Sequence, residues 1–308
     1  MSAAKWTASQ IPSQAGKTAL ITGANSGIGY TAAVELARRG AHVLLGVRSP
    51  AKGRAALSEL QKAVPDANAE VVELDVASLA SIRALAAAMD ARALPLDILI
   101  NNAGVMALPV REVTVDGFER QFGTNHLGHF ALTGLLMGRL LAASAPRVVT
   151  VSSLAHRNGK MNFDDLQGEK KYVPWDAYNQ SKLANLLFAL ELDRKARAAG
   201  SKLVSLACHP GVSITNIFQY AKPGDPKAFV VKLLAPVLFQ NDAMGALPTL
   251  YAATDPNAES GQYIGPDGFS ALKGYPTAEK PRPQALDAAS AARLWTVSEQ
   301  LTGVSYPF

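Results

Sequence analysis

The chain has 308 residues, enough for one large domain or two small ones, and its 48% hydrophobic and 18% charged residues suit a soluble globular protein. Its net charge of +5 comes from scattered cations with no basic run of five or more, which argues against nucleic-acid binding. A lone cysteine, Cys208, rules out an internal disulfide. The first 17 residues lack a signal-peptide core, and "FVVKLLAPVLF" (229–239), the nearest thing to a membrane span, is broken by Lys232 and Pro236. The expected setting is reducing and cytoplasmic, without a membrane span.

Short apolar runs alternate with alanine-rich helical stretches. "TALIT" (18–22) reads as a strand and 27–40 as a helix closed by Gly40. "HVLLGV" (42–47), a helix over roughly 50–63, "EVVEL" (70–74), a helix near 78–91 and "DILI" (97–100) continue the series. A long helix is predicted over 115–143, strand at "RVVTV" (147–151), helix at 176–199 and strand at "LVSLAC" (203–208). Strands this short and this apolar are covered on both faces, and the rhythm predicts a doubly wound parallel α/β sheet with helices on both sides. No linker interrupts it, so residues 1–308 read as a single domain. The pattern lapses over 212–240 and again over 264–283, before a final helix near 285–301.

In an open parallel sheet, ligands bind beyond the carboxyl ends of the strands. After the first strand comes "TGANSGIG", with Gly23, Gly27 and Gly29 leading into a helix. Glycines leave room for a diphosphate against the backbone, and the helix start supplies N–H donors. The second strand ends at Arg48, with no acid before Glu59. A carboxylate there would accept from a ribose 2′-OH, whereas a guanidinium accommodates a 2′-phosphate, so NADP is expected over NAD. Asp75 and Val76 close the third strand, and "NNAG" after the fourth makes another small turn at Asn102, Ala103 and Gly104.

The fifth strand leaves Ser152 and Ser153 at the same edge, and "YNQSK" opens the next helix. Tyr178 and Lys182, at i and i+4, share a helix face, where a cation near a phenol would lower its pKa. Of eight tyrosines, only Tyr178 has a lysine four residues on. Asn125, in "GTNHLGH", is polar on an otherwise apolar stretch. Hydride transfer to a carbonyl needs a proton donor and a second polarising donor, and Tyr178, Ser153 and Lys182 are groups of those types.

Taken in order, "TGANSGIG", "NNAG", Asn125, Ser153, "YNQSK" and "HPG" (209–211) resemble the short-chain dehydrogenase/reductase family over roughly residues 16–265. The resemblance implies Tyr178 as general acid/base and Lys182 as binder of the nicotinamide ribose, lowering the Tyr178 pKa. It further implies that Ser153 orients the substrate oxygen and Asn125 holds a relay water. Gly23, Asn25, Ser26, Gly27 and Ile28 are implied along the diphosphate, Pro210, Gly211, Val212 and Thr215 on the carboxamide side, and self-pairing as a homodimer or homotetramer through helices 115–143 and 176–199. The text from Asn162 to Phe188 is similar to the retinol dehydrogenase and protochlorophyllide reductase branch. That likeness implies an apolar carbonyl or alcohol substrate, with reduction of a carbon–carbon double bond or a non-catalytic nucleotide sensor as alternatives.

Other motifs read more plainly. The imidazoles of "HLGH" (126–129) have no third ligand at metal spacing, so packing or local hydrogen bonding is expected and no metal site. Cys208 and His209, adjacent on a strand, point to opposite faces. Residues 212–245 are expected to form a substrate lid, with Phe218, Tyr220, Phe229 and Phe239 as pocket walls, followed by a C-terminal extension over 264–308.

Overall fold

The computed structural model describes residues 5–212 and 240–308. Its strands are β1 (Thr18–Thr22), β2 (His42–Val47), β3 (Ala69–Glu73), β4 (Ile98–Asn101), β5 (Arg147–Val151), β6 (Val204–Cys208), β7 (Tyr263–Pro266) and β8 (Pro276–Glu279). They form one sheet in the order β3-β2-β1-β4-β5-β6-β7-β8, with every pair parallel except β7 and β8. The order reverses between β1 and β4, which opens a crevice at their carboxyl ends.

Alternate strand residues feed opposite faces. Ala19 and Ile21 pack with α1 (Gly27–Arg38), α2 (Pro50–Ala63) and α8 (Asp242–Thr254). Leu20 between them faces α3 (Leu79–Ala91), α5 (Gly128–Leu135) and α7 (Pro174–Ala198). Burial of every β1 residue and of nearly all of β2 and β5 follows from this double cover. The fold is therefore the doubly wound α/β class that the strand–helix rhythm predicts.

The helix expected over 115–143 is interrupted. Thr114–Phe118 turns instead, with Gly117 at φ +85°, and the Glu119 carboxylate caps α4 (Arg120–Phe122) by accepting from the Gln121 and Phe122 N–H groups. A π-turn over Gly123–Leu127 leads into α5, and Leu136 leaves helical geometry before α6 (Met137–Leu141). Gly128 lies against the end of β3, where an added methyl would collide with the Val76 carbonyl. The helix approaches the sheet this closely only because that residue has no side chain.

Two stretches hold more structure than expected. The irregular-looking 264–283 contains most of β7 and all of β8, and α8 was not predicted. The expected lid at 212–245, Thr215 and the four aromatic wall residues lie mostly or wholly outside the described residues. The final helix, α9 (Ala288–Thr302), packs on α7 and α5, with Trp295 5.2 Å from the Phe130 ring centre and 5.9 Å from that of Phe188. Part of the surface expected to pair between copies thus carries this chain's own C-terminal helix. No helix among the described residues is long and apolar enough to cross a membrane.

Candidate active site

At the carboxyl ends of the strands lies a cleft of about 850 Å³. Every described residue named above for coenzyme or catalysis lines it except Asn125, which sits behind the Gly104–Val105 backbone. Gly23 and Gly27 have φ of +69° and +58°, so the turn after β1 needs glycine. A methyl on Gly29 would stand 2.7 Å from the Gly23 carbonyl and 2.5 Å from Asn102 Nδ2, which packs that helix start against the β4 turn. Ser26 is the N-cap of α1, and its hydroxyl makes no cap bond. Bare N–H groups at a helix start, a hydroxyl with no hydrogen bond to another described residue and a glycine floor fit a diphosphate. Beyond the end of β2, the strand next to β1, Arg48 lines the cleft and is exposed, with no ion pair or hydrogen bond to another described residue.

Thr22 organises the floor. Its hydroxyl accepts from Asn102 N and Ala103 N at 2.9 and 2.8 Å, and Asn102 Nδ2 donates to the Thr22 carbonyl. The same hydroxyl lies 2.9 Å from His129 Nε2. Because His129 Nδ1 stands 2.9 Å from the Asn125 carbonyl, which can only accept, Nδ1 carries the proton and Nε2 takes the Thr22 hydrogen. Burial lowers the His129 pKa to about 4, which keeps the ring neutral. His126, lowered to about 3 by burial, bonds Ser298 on α9. The "HLGH" pair thus makes local and inter-helix hydrogen bonds.

At the reacting end, α7 presents Tyr178 (8% exposed) and Lys182 (5%) toward the end of β5. Lys182 Nζ donates to the Val151 carbonyl at 3.1 Å, shared with Asn185 Nδ2, and Ser152 Oγ donates to the Lys182 carbonyl. Tyr178 and Ser153 both line the cleft, and the Ser153 hydroxyl accepts from the Ala155 N–H at 3.2 Å. Trp175, 56% exposed, stands edge-on to the Tyr178 ring at 6.0 Å.

The electrostatics depart from expectation. Burial raises the Tyr178 pKa above its ordinary 10, and the neighbouring Ser153 side chain only partly opposes it. Lys182 was expected to lower it, but burial strips the ammonium of solvent and brings Lys182 itself down to about 8. Its Nζ lies 5.9 Å from the ring centre, beside the phenol rather than bonded to it.

The Asn125 amide is fully committed. Oδ1 accepts from Val105 N, and Nδ2 donates to the Val105 carbonyl and Ser181 Oγ, at 2.8–2.9 Å. Thr22 and Ser181 were not among the predicted site residues, and His129 was expected only to pack or hydrogen-bond locally. Their one signal was a polar side chain within an apolar strand or helix face.

A family model described as short chain dehydrogenase matches residues 17–225. Retinol dehydrogenase 12 of Mus musculus is 42% identical, over 96% of this chain and 89% of its own length. Retinol dehydrogenase 13 of Homo sapiens is 41% identical, over 98% and 90%, and Homo sapiens polyprenol dehydrogenase is 39% identical, over 82% and 78%. Among solved structures, an uncharacterised Mycobacterium paratuberculosis protein superposes with a TM-score of 0.82 at 44% identity, covering 99% of this chain and 100% of that one. A Beutenbergia cavernae protein described as an NAD(P)-dependent gluconate 5-dehydrogenase, with NADP bound at low occupancy, gives 0.63 at 26%, over 82% and 95%. With a glycine-floored cleft and a Tyr–Ser–Lys group at one sheet edge, this chain belongs to the short-chain dehydrogenase family, in its retinol dehydrogenase-like branch, and is an NAD(P)-dependent oxidoreductase acting on CH–OH groups.

Proposed function

We propose that the protein uses NADP to interconvert an apolar aldehyde or ketone and its alcohol, with Tyr178 as general acid/base. The observation that carries this reading is that Tyr178, Ser153 and Lys182 line one cleft with the glycine turn after β1 and with Arg48, which has no ion pair or hydrogen bond to another described residue. A bound nicotinamide supplies or takes up the hydride. Ser153 Oγ donates to the substrate oxygen and holds it beside the phenol. In reduction the Tyr178 O–H gives its proton to the developing alkoxide, and in oxidation the phenolate takes it back. Lys182, fixed to Val151, holds a positive charge near the phenolate as it forms. Asn125 holds a relay water at its backbone carbonyl, which also accepts from His129 Nδ1, because its amide is spent on Val105 and Ser181.

Arg48 has the charge and the place to meet a 2′-phosphate, which favours NADP. The inner cleft wall includes Val105, Met106, Leu154, Ala155, Trp175 and Leu272, an apolar surface suited to a hydrocarbon substrate. The names retinol dehydrogenase and polyprenol dehydrogenase point the same way, since both alcohols are long and apolar. The test is a panel of apolar aldehydes, ketones and conjugated enones with NADPH and NADH, followed at 340 nm with product analysis. The reading requires alcohol products and faster turnover with NADPH. Saturated carbon–carbon products, or coenzyme binding without turnover on any substrate, would overturn it.

A further inference from the structure

A second cluster of ionisable groups lies behind the cleft, built largely by the C-terminal strands. Glu279, at the end of β8, accepts from Arg157 Nη2 on one oxygen and from His209 Nε2 on the other, each at 2.7 Å. His209 Nδ1 in turn accepts from the Gly211 N–H at 3.1 Å. A backbone N–H can only donate, so the proton of His209 sits on Nε2 and points at Glu279. Burial disfavours the charged imidazole, and the ring is neutral. Burial also opposes the Glu279 carboxylate, yet the hydrogen bonds from His209 and Arg157 bring its pKa down to about 2. It is an anion throughout the working range.

The two arms of Glu279 reach two turns that line the cleft beyond the neighbouring strands β5 and β6. Arg157 belongs to the 3₁₀ turn Leu154–Asn158, whose N-cap is Ser153. The Ser153 carbonyl is also held from behind, by His156 Nδ1 at 2.7 Å and by the Tyr263 hydroxyl at 3.5 Å. His209 begins the turn Pro210–Gly211–Val212, whose Val212 N–H donates to the Leu272 carbonyl and whose Pro210 carbonyl accepts from Gln240 Nε2. Gly265, on β7, leaves the space for this arrangement, since a methyl there would collide with His209 Nε2 and Glu279.

We infer that Glu279 is a positioning residue. It clamps the Ser153 turn to the 210–212 turn and so sets the spacing between the group that orients substrate oxygen and the wall proposed for the nicotinamide carboxamide. This rests on the reduction mechanism proposed above. Misplacement of reacting groups by about 1 Å costs on the order of a hundredfold in rate, so a clamp outside the cleft still governs turnover. Because Glu279 does not line the cleft, its loss is expected in kcat and coenzyme binding more than in substrate KM.

The experiment compares wild type, Glu279→Ala, Glu279→Gln and Arg157→Gln by kcat, substrate KM, NADPH dissociation constant and thermal unfolding. Glu279→Ala is expected to lower kcat about ten- to a hundredfold and weaken NADPH severalfold, with substrate KM little changed. Glu279→Gln keeps an oxygen for His209 but loses the acceptor for Arg157, so it should fall between wild type and Ala, close to Arg157→Gln. If Glu279→Ala does not fold, the two Gln variants carry the test. Variants that melt earlier but keep wild-type kcat and NADPH affinity at 25 °C would overturn the inference. Wild type without turnover counts against the reduction reading alone, and the NADPH constants of the variants then decide the clamp. Wild type that binds neither coenzyme overturns both.

Discussion

Lys182 and Val151 are joined by a 3.1 Å hydrogen bond that fastens the ammonium to the end of β5 instead of to the Tyr178 phenol. The charge is almost wholly buried, and its pKa falls from 10.5 to about 8. At pH 7 Lys182 is protonated in both folded and unfolded chains, so folding bears the burial cost. Between about pH 8 and 10.5 the folded chain releases that proton while the unfolded chain keeps it, and stability rises with pH across this window. Lys182→Met removes the cost, and Asn185 still satisfies the Val151 carbonyl. Urea unfolding should show the variant more stable by about 1–3 kcal/mol at pH 7, with the gap shrinking toward pH 10. A less stable variant at pH 7 would contradict this account.

The direction of the Tyr178 shift is open to measurement. Burial raises that phenol in the protein without coenzyme. The difference in phenolate absorbance near 295 nm between wild type and Tyr178→Phe should therefore appear only above pH 10. A titration centred well below 10 would restore the expectation that Lys182 dominates.

Arg48 is proposed to select the coenzyme. A charged hydrogen bond contributes roughly 1.5–3 kcal/mol, so Arg48→Glu should weaken NADPH about ten- to a hundredfold. NADH should be unaffected or bound more tightly, because the new carboxylate can accept from a ribose 2′-OH. Equal losses for both coenzymes in a binding titration would remove Arg48 from this role.

Gly128→Ala tests the link between fold and site. Its methyl meets the Val76 carbonyl, so the helix must move outward one residue after the π-turn that holds Asn125. A stability loss of about 1–3 kcal/mol or more is expected by chemical denaturation, together with a fall in kcat. Gly138, with nothing within 4 Å of an added methyl, is the control, and Gly138→Ala should be neutral or stabilising by up to about 1 kcal/mol.

What the sequence made legible was local. The β1 turn, the "NNAG" turn and the Tyr178–Lys182 pair each fit within a few residues, and the strand–helix rhythm was enough to gather them at one sheet edge. Interactions between distant segments were hidden. Asn125 stood out as polar, but its partners Val105 and Ser181 lie 20 residues before and 56 after it. The sign of the Tyr178 shift depended on burial, which spacing does not report. Each of β7 and β8 is four residues long and bears a proline, too short for alternation to show. Glu279 consequently read as part of an irregular extension, although it meets His209 across 70 residues.

The proton-transfer role of Tyr178 is tested most directly by kcat and NADPH affinity measured together in Tyr178→Phe. The substitution removes one oxygen and leaves the ring that packs against Trp175. The account predicts a fall in kcat of about a hundredfold or more with NADPH binding within a few-fold of wild type. Turnover within a few-fold of wild type, with coenzyme still bound, would contradict it.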